Sequence, residues 1–281
     1  MDKPDLDLTV SPFPCDRRDF PNGRFYHRVL DEPPEDEKEW LWFPSVTTIK
    51  DAVLSKGLHF RKWLVSLPSW TEYIKILDES GNLGTTLHNI FMKMIWGKRI
   101  DLSDPFYDEE TDSHIDISGN EYAKRLMCFD RFWNDYSPIP IATEIMLFNP
   151  TLQDDIYETP FAGQPDLICL IEGKNGGQER WLIDWKTGKN LYPDFALQLT
   201  GYKLLWDAIF PNEPIERMGV IHLKDSWIKE PSGKIHEYKF SPDAWFGILQ
   251  LWNWLGNGTP KFPAEYPKVF DLYEEIEEEN E

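Results

Sequence analysis

The hexapeptide Ile183-Asp184-Trp185-Lys186-Thr187-Gly188 sets an acid and a base two residues apart inside an apolar segment, RWLIDWKT. Such a segment predicts a β-strand, and along a strand residues two apart point to the same face. Ile183 and Trp185 then share one side, and Asp184 and Lys186 the other. Unlike charges on a buried face are unfavourable unless they pair or bind something. An internal salt bridge satisfies that condition, and so does a binding site. The flanking sequence bears on the choice.

Upstream lies a second strand-like run, FAGQPDLICLI, separated from RWLIDWKT by EGKNGGQ, a Gly- and Asn-rich turn. With the turn centred on Asn175, residues equally far to either side become antiparallel partners, and Asp166 falls opposite Asp184. Lys186 falls opposite Gln164. Cross-strand partners share a face, their side chains roughly 5 Å apart. A slip of one residue would break this arrangement. In the expected register two carboxylates and an amine converge on one patch of sheet. Carboxylates that close repel unless a cation lies between them, and hard oxygen ligands suit Mg²⁺ or Mn²⁺. A neighbouring lysine then holds or deprotonates a water, or stabilises charge on a phosphate. In outline this is metal-assisted phosphodiester hydrolysis.

The remaining chain supplies helices and more strands. GRFYHRVL and EWLWFPSVTTI flank the acidic EPPEDEKE and predict a hairpin with a long polar loop. A helix is expected to start at Ser45 or Thr47. GTTLHNIFMKMIWG reads as a helix stopping at Gly97, and EYAKRLMCFDRFWNDY as an amphipathic helix. Residues 101–116 read as a loop, IPIATEIMLF as a strand, and PDFALQLTGYKLLWDAIF as a helix opened by Pro193. RMGVIHLK and GKIHEYKF read as strands, and SPDAWFGILQLWNWLG as a helix capped by Ser241 and ended by Gly256. The fold class is α/β, a mixed central β-sheet flanked by helices with N-terminal helical additions. The expected organisation is a flexible segment at 1–23, one domain at 24–262 and an acidic tail at 263–281.

The chain of 281 residues is 41% hydrophobic with 13 Trp, enough for a substantial core. Its net charge of −20 argues against broad neutralisation of nucleic-acid phosphates. Much of that charge is segregated, however: the tail DLYEEIEEENE carries seven acids and EPPEDEKE five. Any nucleic-acid contact is therefore confined to a local basic or metal-neutralised groove. No apolar run reaches the roughly 18 residues of a membrane span. The acidic, proline-rich start is unlike a signal peptide, so a cytoplasmic protein with no membrane partner is expected. Cys15, Cys128 and Cys169 form no CxxC and read as ordinary reduced cysteines.

GQPDL followed by IDWKTGK resembles the signature of the PD-(D/E)XK nuclease superfamily. The order PSVTTI, GTTLH, ATEIMLF, GQPDL, IDWKTGK and QLTGY resembles its RecB-like exonuclease branch, of the phage exonuclease and mitochondrial genome maintenance exonuclease type. The similarity spans roughly residues 24 to 256. It implies a restriction-endonuclease-like core. It further implies Asp166 and Asp184 as metal ligands, the Trp185 carbonyl as a further ligand, and Lys186 as catalytic lysine. His88 would complete the metal shell, and Glu144 would bind metal or orient water. Gln198 and Tyr202, one helical turn apart, would position DNA. Thr187, and more weakly Thr85, Thr86 and Lys189, are candidates for phosphate contact.

Each piece also has an ordinary structural reading. Asp184 and Lys186 alone fit a salt bridge equally well. His88 among apolar neighbours alone is more often a hydrogen-bonded core histidine. Glu144 alone fits a strand-edge charge, and Trp181 and Trp185 fit the core. The ordered set favours the site. The function implied is a Mg²⁺- or Mn²⁺-dependent DNA exonuclease acting on single strands or ends in phage-type recombination or replication, with a recombination or replication protein as a candidate partner. The N-terminal helices and the 101–116 loop would frame a narrow opening for the strand. Two alternatives stand beside it: a structure-specific or restriction-type endonuclease of the same fold, and a non-catalytic DNA- or protein-binding adaptor. The four cysteines that clamp a DNA end in iron–sulfur relatives are absent, as is a GxxxxGK[ST] helicase motif.

Overall fold

The computed structural model describes residues 15–29, 34–55, 57–109, 111–148, 160–226, 230–256 and 258–263. It opens with strands β1 (Cys15–Phe20) and β2 (Gly23–Arg28), a short 3-10 turn at Glu37–Glu39, and β3 (Trp42–Pro44). Helices α1 (Val46–Val53), α2 (Leu58–Ser66) and α3 (Trp70–Ile95) follow. A small hairpin, β4 (Phe106–Asp108) and β5 (Ser113–Ile115), precedes α4 (Asn120–Tyr136). The next strands are β6 (Ile139–Thr143), β7 (Leu147–Phe148), β8 (Ala162–Gly163), β9 (Leu167–Glu172) and β10 (Gln178–Lys186). The described chain ends with α5 (Phe195–Ile209), β11 (Arg217–His222), β12 (Ile235–Tyr238) and α6 (Pro242–Trp254).

The central sheet is mixed, with strand order β12-β11-β10-β9-β6. β9 and β10 pair antiparallel, from Gln178 opposite Glu172 to Ile183 opposite Leu167. That is the register centred on Asn175, and it leads directly to Asp166 and Asp184 at the end of the ladder. β10 runs parallel to β11, with Asp184 beside Val220 and Lys186 beside His222. Alternation along β10 divides the core. Ile183 and Trp185 pack with Leu87, Phe91, Phe129 and Phe132 of α3 and α4. Leu182 packs on the opposite side with Val46, Leu199, Trp245 and Leu249 of α1, α5 and α6. The result is a layered α/β architecture. Trp185 meets the edges or faces of three phenylalanine rings at centroid distances of 5.5–5.8 Å. Trp181 and Trp185 are thus core residues, as expected. Gly201 lets α5 approach its neighbours: a Cβ there would lie 2.8 Å from Val46 and 3.1 Å from Trp245.

Several expectations hold: the β2–β3 hairpin, the Ser45 cap of α1, the end of α3 near Gly97 and the mixed sheet. Four are corrected. Residues 15–20, expected to be loose as part of a flexible 1–23 segment, form β1, paired along its whole length with β2. Residues 101–116 contain the β4–β5 hairpin. The strand expected over IPIATEIMLF is divided at Glu144, whose φ of 48° lies in the left-handed region that interrupts a ladder. Helix α5 begins after Pro193, at Phe195. The acidic tail from residue 264 lies outside the described residues. Among those described, no helix is long and apolar enough to cross a membrane.

Candidate functional site

The site forms where the β9–β10 ladder runs out. Asp166 immediately precedes β9, and its Oδ2 accepts a hydrogen bond from the Trp185 backbone N–H at 2.6 Å. That bond fixes the carboxylate against the neighbouring strand and leaves Oδ1 to face outward. From the α3 side of the sheet, His88 Nδ1 reaches Asp166 Oδ1 at 3.3 Å and Glu144 Oε1 at 3.1 Å. Glu144 arrives through the break between β6 and β7. Its backbone N–H donates to the Asp166 carbonyl at 3.2 Å, and its own carbonyl accepts from Gln164 Nε2 at 2.9 Å. A non-glycine residue at positive φ is strained, and such strain persists where the surroundings impose it. Here the two backbone contacts hold Glu144 in that conformation and aim its carboxylate at His88.

These three side chains form a compact donor set: one ligand atom from each of His88, Glu144 and Asp166 lies within 4.8 Å of the others. Burial opposes a charged His88, but the carboxylates of Asp166 and Glu144 outweigh it and hold the imidazole pKa well above its usual value. Glu144 is pushed up, by burial first and by the nearby Asp166 charge, against the pull of His88. Without a cation, an imidazolium between two carboxylates balances part of their charge; as a metal ligand His88 would give up that proton. One nitrogen and two carboxylate oxygens suit a divalent ion of the Mg²⁺ or Mn²⁺ kind.

Asp184 belongs to a second group. Its Oδ2 lies 2.6 Å from Lys186 Nζ, and its Oδ1 accepts from Gln198 Nε2 at 3.0 Å. Gln198 also accepts from Lys186 Nζ at 3.2 Å, and its Nε2 lies 3.2 Å from the Tyr202 hydroxyl. The Asp184–Lys186 contact is a close ion pair at an oxygen sealed from solvent. Burial pushes the Asp184 carboxyl up to about 6, against the opposing effect of Lys186. Burial disfavours the charged Lys186, but Asp184 and Asp166 prevail and raise its pKa, so the amine stays protonated. α5 thus contributes from one face of the sheet what α3 contributes from the other.

The two groups open into one cleft of about 560 Å³, lined by His88, Glu144, Asp166, Asp184, Lys186 and Gln198 among others. Thr85 lies on its wall. Thr86 does not: it is buried, and its hydroxyl donates to the Asn82 carbonyl at 2.9 Å. Thr187 follows Lys186 outside the cleft lining, near Gly84, and Lys189 is exposed beyond it. Lys186 and Gln198 engage Asp184, while His88 and Glu144 gather around Asp166. Gln198 and Tyr202, expected to position DNA, line the cleft while largely buried; Gln198 bonds to Asp184, Lys186 and the Tyr202 hydroxyl.

Sequence reasoning passed over Gln164 as a site residue, and also Arg17 and Arg24, which reach the cleft from β1 and β2. The signal for the two arginines was the turn PNG between CDRRDF and GRFYHR. No protein-family model matches the chain, and no curated protein matches it.

Proposed function

We propose that this protein is a Mg²⁺- or Mn²⁺-dependent deoxyribonuclease with a restriction-endonuclease-like core of the PD-(D/E)XK, RecB-like kind. It acts as an exonuclease on single strands or DNA ends, in the cytoplasm or that of a phage host, in recombination or replication. One observation carries the reading. A His–Glu–Asp donor set and a protonated lysine paired with a second aspartate share one cleft, on the motifs that resemble that superfamily.

His88, Glu144 and Asp166 would hold the cation, with Asp184 Oδ2 as an adjoining buried oxygen. Bound there, the ion supplies Lewis acidity toward a phosphate oxygen and neutralises the carboxylates. The chain's own groups have separate tasks. Lys186, kept protonated by Asp184, donates a hydrogen bond and positive charge to a phosphoryl oxygen as charge develops. Its protonation favours charge stabilisation over deprotonation of water as its role. Asp184 orients Lys186, and Gln198 fixes both. Glu144, set at the cleft wall by its strained backbone, aligns a water through its carboxylate.

The test uses end-labelled linear and circular DNA, single- and double-stranded, with Mg²⁺, Mn²⁺ or chelator. Shortening of linear strands with metal, with closed circles left intact, is the expected outcome. Cleaved circles would favour the endonuclease alternative. No cleavage with either metal would end the nuclease reading and favour the adaptor. Lys186→Ala and Asp184→Ala are expected to abolish cleavage while retaining the fold.

A further inference from the structure

The β1–β2 hairpin pairs Arg17 with Tyr26 and Asp19 with Arg24. Residues two apart on a strand, and residues directly opposite across a pair, share a face. Cys15, Arg17, Arg24 and Tyr26 therefore project together, and all four line the cleft that holds the donor set. Arg18 points the other way, pairing with Glu37 and lying 5.7 Å from the Trp42 ring centroid.

Both arginines are held in place. Arg17 Nη1 donates to Gln164 Oε1 at 2.7 Å, and Gln164 in turn donates to the Glu144 carbonyl. Arg17 is thus one side chain removed from the donor set. The Arg24 backbone is clamped to the start of α1: its N–H donates to Thr48 Oγ1 at 2.8 Å, and its carbonyl accepts from the Ser45 N–H at 2.9 Å. Its guanidinium makes a double contact with Asp19, at 2.9 and 3.3 Å. Asp19 is a largely exposed partner, its side chain 67% accessible. Exposed ion pairs are weak, so an incoming anion competes with Asp19 at low cost.

The charge of the cleft is unlike that of the chain. Arg17, Arg24 and Lys186 face Glu144, Asp166 and Asp184. Three basic side chains are thus gathered on one cleft within a protein of net charge −20. Guanidinium groups match two non-bridging phosphate oxygens in a planar, bidentate fashion.

We propose that Arg17 and Arg24 form a phosphate-binding wall that holds the strand's phosphodiester adjoining the one beside the donor set. The inference rests on the nuclease reading and deepens it. It explains how an acidic protein retains a polyanion: a local wall of fixed guanidinium groups substitutes for a basic surface.

Single-turnover cleavage of a fluorescein-labelled single-stranded oligodeoxynucleotide, titrated with enzyme, separates half-saturation from the saturating rate. Arg17→Gln and Arg24→Gln are each expected to raise the half-saturating concentration about tenfold. Each is also expected to reduce the log–log salt slope by about 0.7, the value of one single-strand phosphate contact, with the saturating rate held within a few-fold. Arg17→Lys and Arg24→Lys should keep most of the slope, which a purely structural role would not predict. Arg18→Gln, on the opposite face of the same hairpin, should leave every parameter unchanged. Half-saturation and slope in the two Gln variants equal to those of Arg18→Gln, or a loss confined to the saturating rate, would overturn the wall while leaving the nuclease reading intact. A wild type that cleaves nothing defeats that reading, and anisotropy with the same oligonucleotide then judges the wall. Binding weakened in the Arg17 and Arg24 variants but not in Arg18→Gln sustains it; equal binding, or none by the wild type, overturns it.

Discussion

Gln198 joins Asp184 to Lys186: its amide nitrogen lies 3.0 Å from one and its amide oxygen 3.2 Å from the other. The two charged groups already meet at 2.6 Å. The amide braces both. It occupies this position because α5 packs on the same face of β10 that carries Asp184.

Removing this amide has a stability and a rate consequence. Gln198→Ala leaves Asp184 Oδ1 without its donor in a buried position, which costs roughly 1–3 kcal/mol. Urea denaturation in chelator should show that loss whether or not the protein is a nuclease. If it is, the saturating cleavage rate should fall about 10–100-fold, the usual effect of losing an orienting partner at a metal site. A variant with wild-type stability would mean that the amide does not carry the pair.

Metal binding should register as stabilisation. A ligand held only by the folded state raises stability by about 2.7 kcal/mol at a hundred times its dissociation constant. Mn²⁺ or Mg²⁺ should thus raise the melting temperature in a concentration-dependent way. His88→Ala removes one of the three clustered donors and should abolish most of that rise. Asp184→Asn, which lies outside the donor cluster, should retain the larger part of it. Equal loss in both variants would place Asp184 among the principal ligands.

Glu144 offers a test of stored strain. Glu144→Ala and Glu144→Gly both delete the carboxylate, so they share its electrostatic consequences. They differ at the backbone, where φ is 48°. An L-residue in the left-handed region is disfavoured by about 1–2 kcal/mol, and glycine is not. The Gly variant should therefore exceed the Ala variant in stability by about 1 kcal/mol, the reverse of their order in an ordinary strand or helix. Denaturant midpoints in chelator give the comparison. Ala at or above Gly would show that the conformation relaxes once the carboxylate is gone.

What could be read in the sequence follows from where side-chain pattern carries information. RWLIDWKT is apolar through Trp181–Ile183, alternates from Ile183 to Lys186 and sits beside a Gly-rich turn, so both its faces and its register with FAGQPDLICLI were legible. The helices bearing His88 and Gln198 announced themselves by apolar periodicity. β1 did not, because CDRRDF is charged on both faces and lacks an apolar row. The break at Glu144 was equally hidden, since glutamate has no preference for positive φ and only the surrounding contacts impose it. The separation of Asp184 from the His88 group depends on where α5 delivers an amide. That is a tertiary fact which strand register alone does not contain.

The three cysteines give a prediction independent of function. Cys128 and Cys169 are 1% and 0% exposed, whereas Cys15 on β1 is partly accessible at the cleft margin. Burial raises the pKa of both the Cys128 and the Cys169 thiols, and so withholds the thiolate as well as access to it. Because thiolate is the reactive form, both factors act in the same direction. Under native conditions at mildly alkaline pH a small aromatic disulfide reagent should modify Cys15 first. Cys128 and Cys169 should react only at the rate of opening or unfolding, and all three should react promptly in strong denaturant. Cys15→Ser should remove the fast phase and leave the slow ones unchanged. A fast phase that survives this substitution would mean that the α4 or β9 region opens readily. The packing of Phe129 and Phe132 against Trp185 would then be looser than the ring geometry requires.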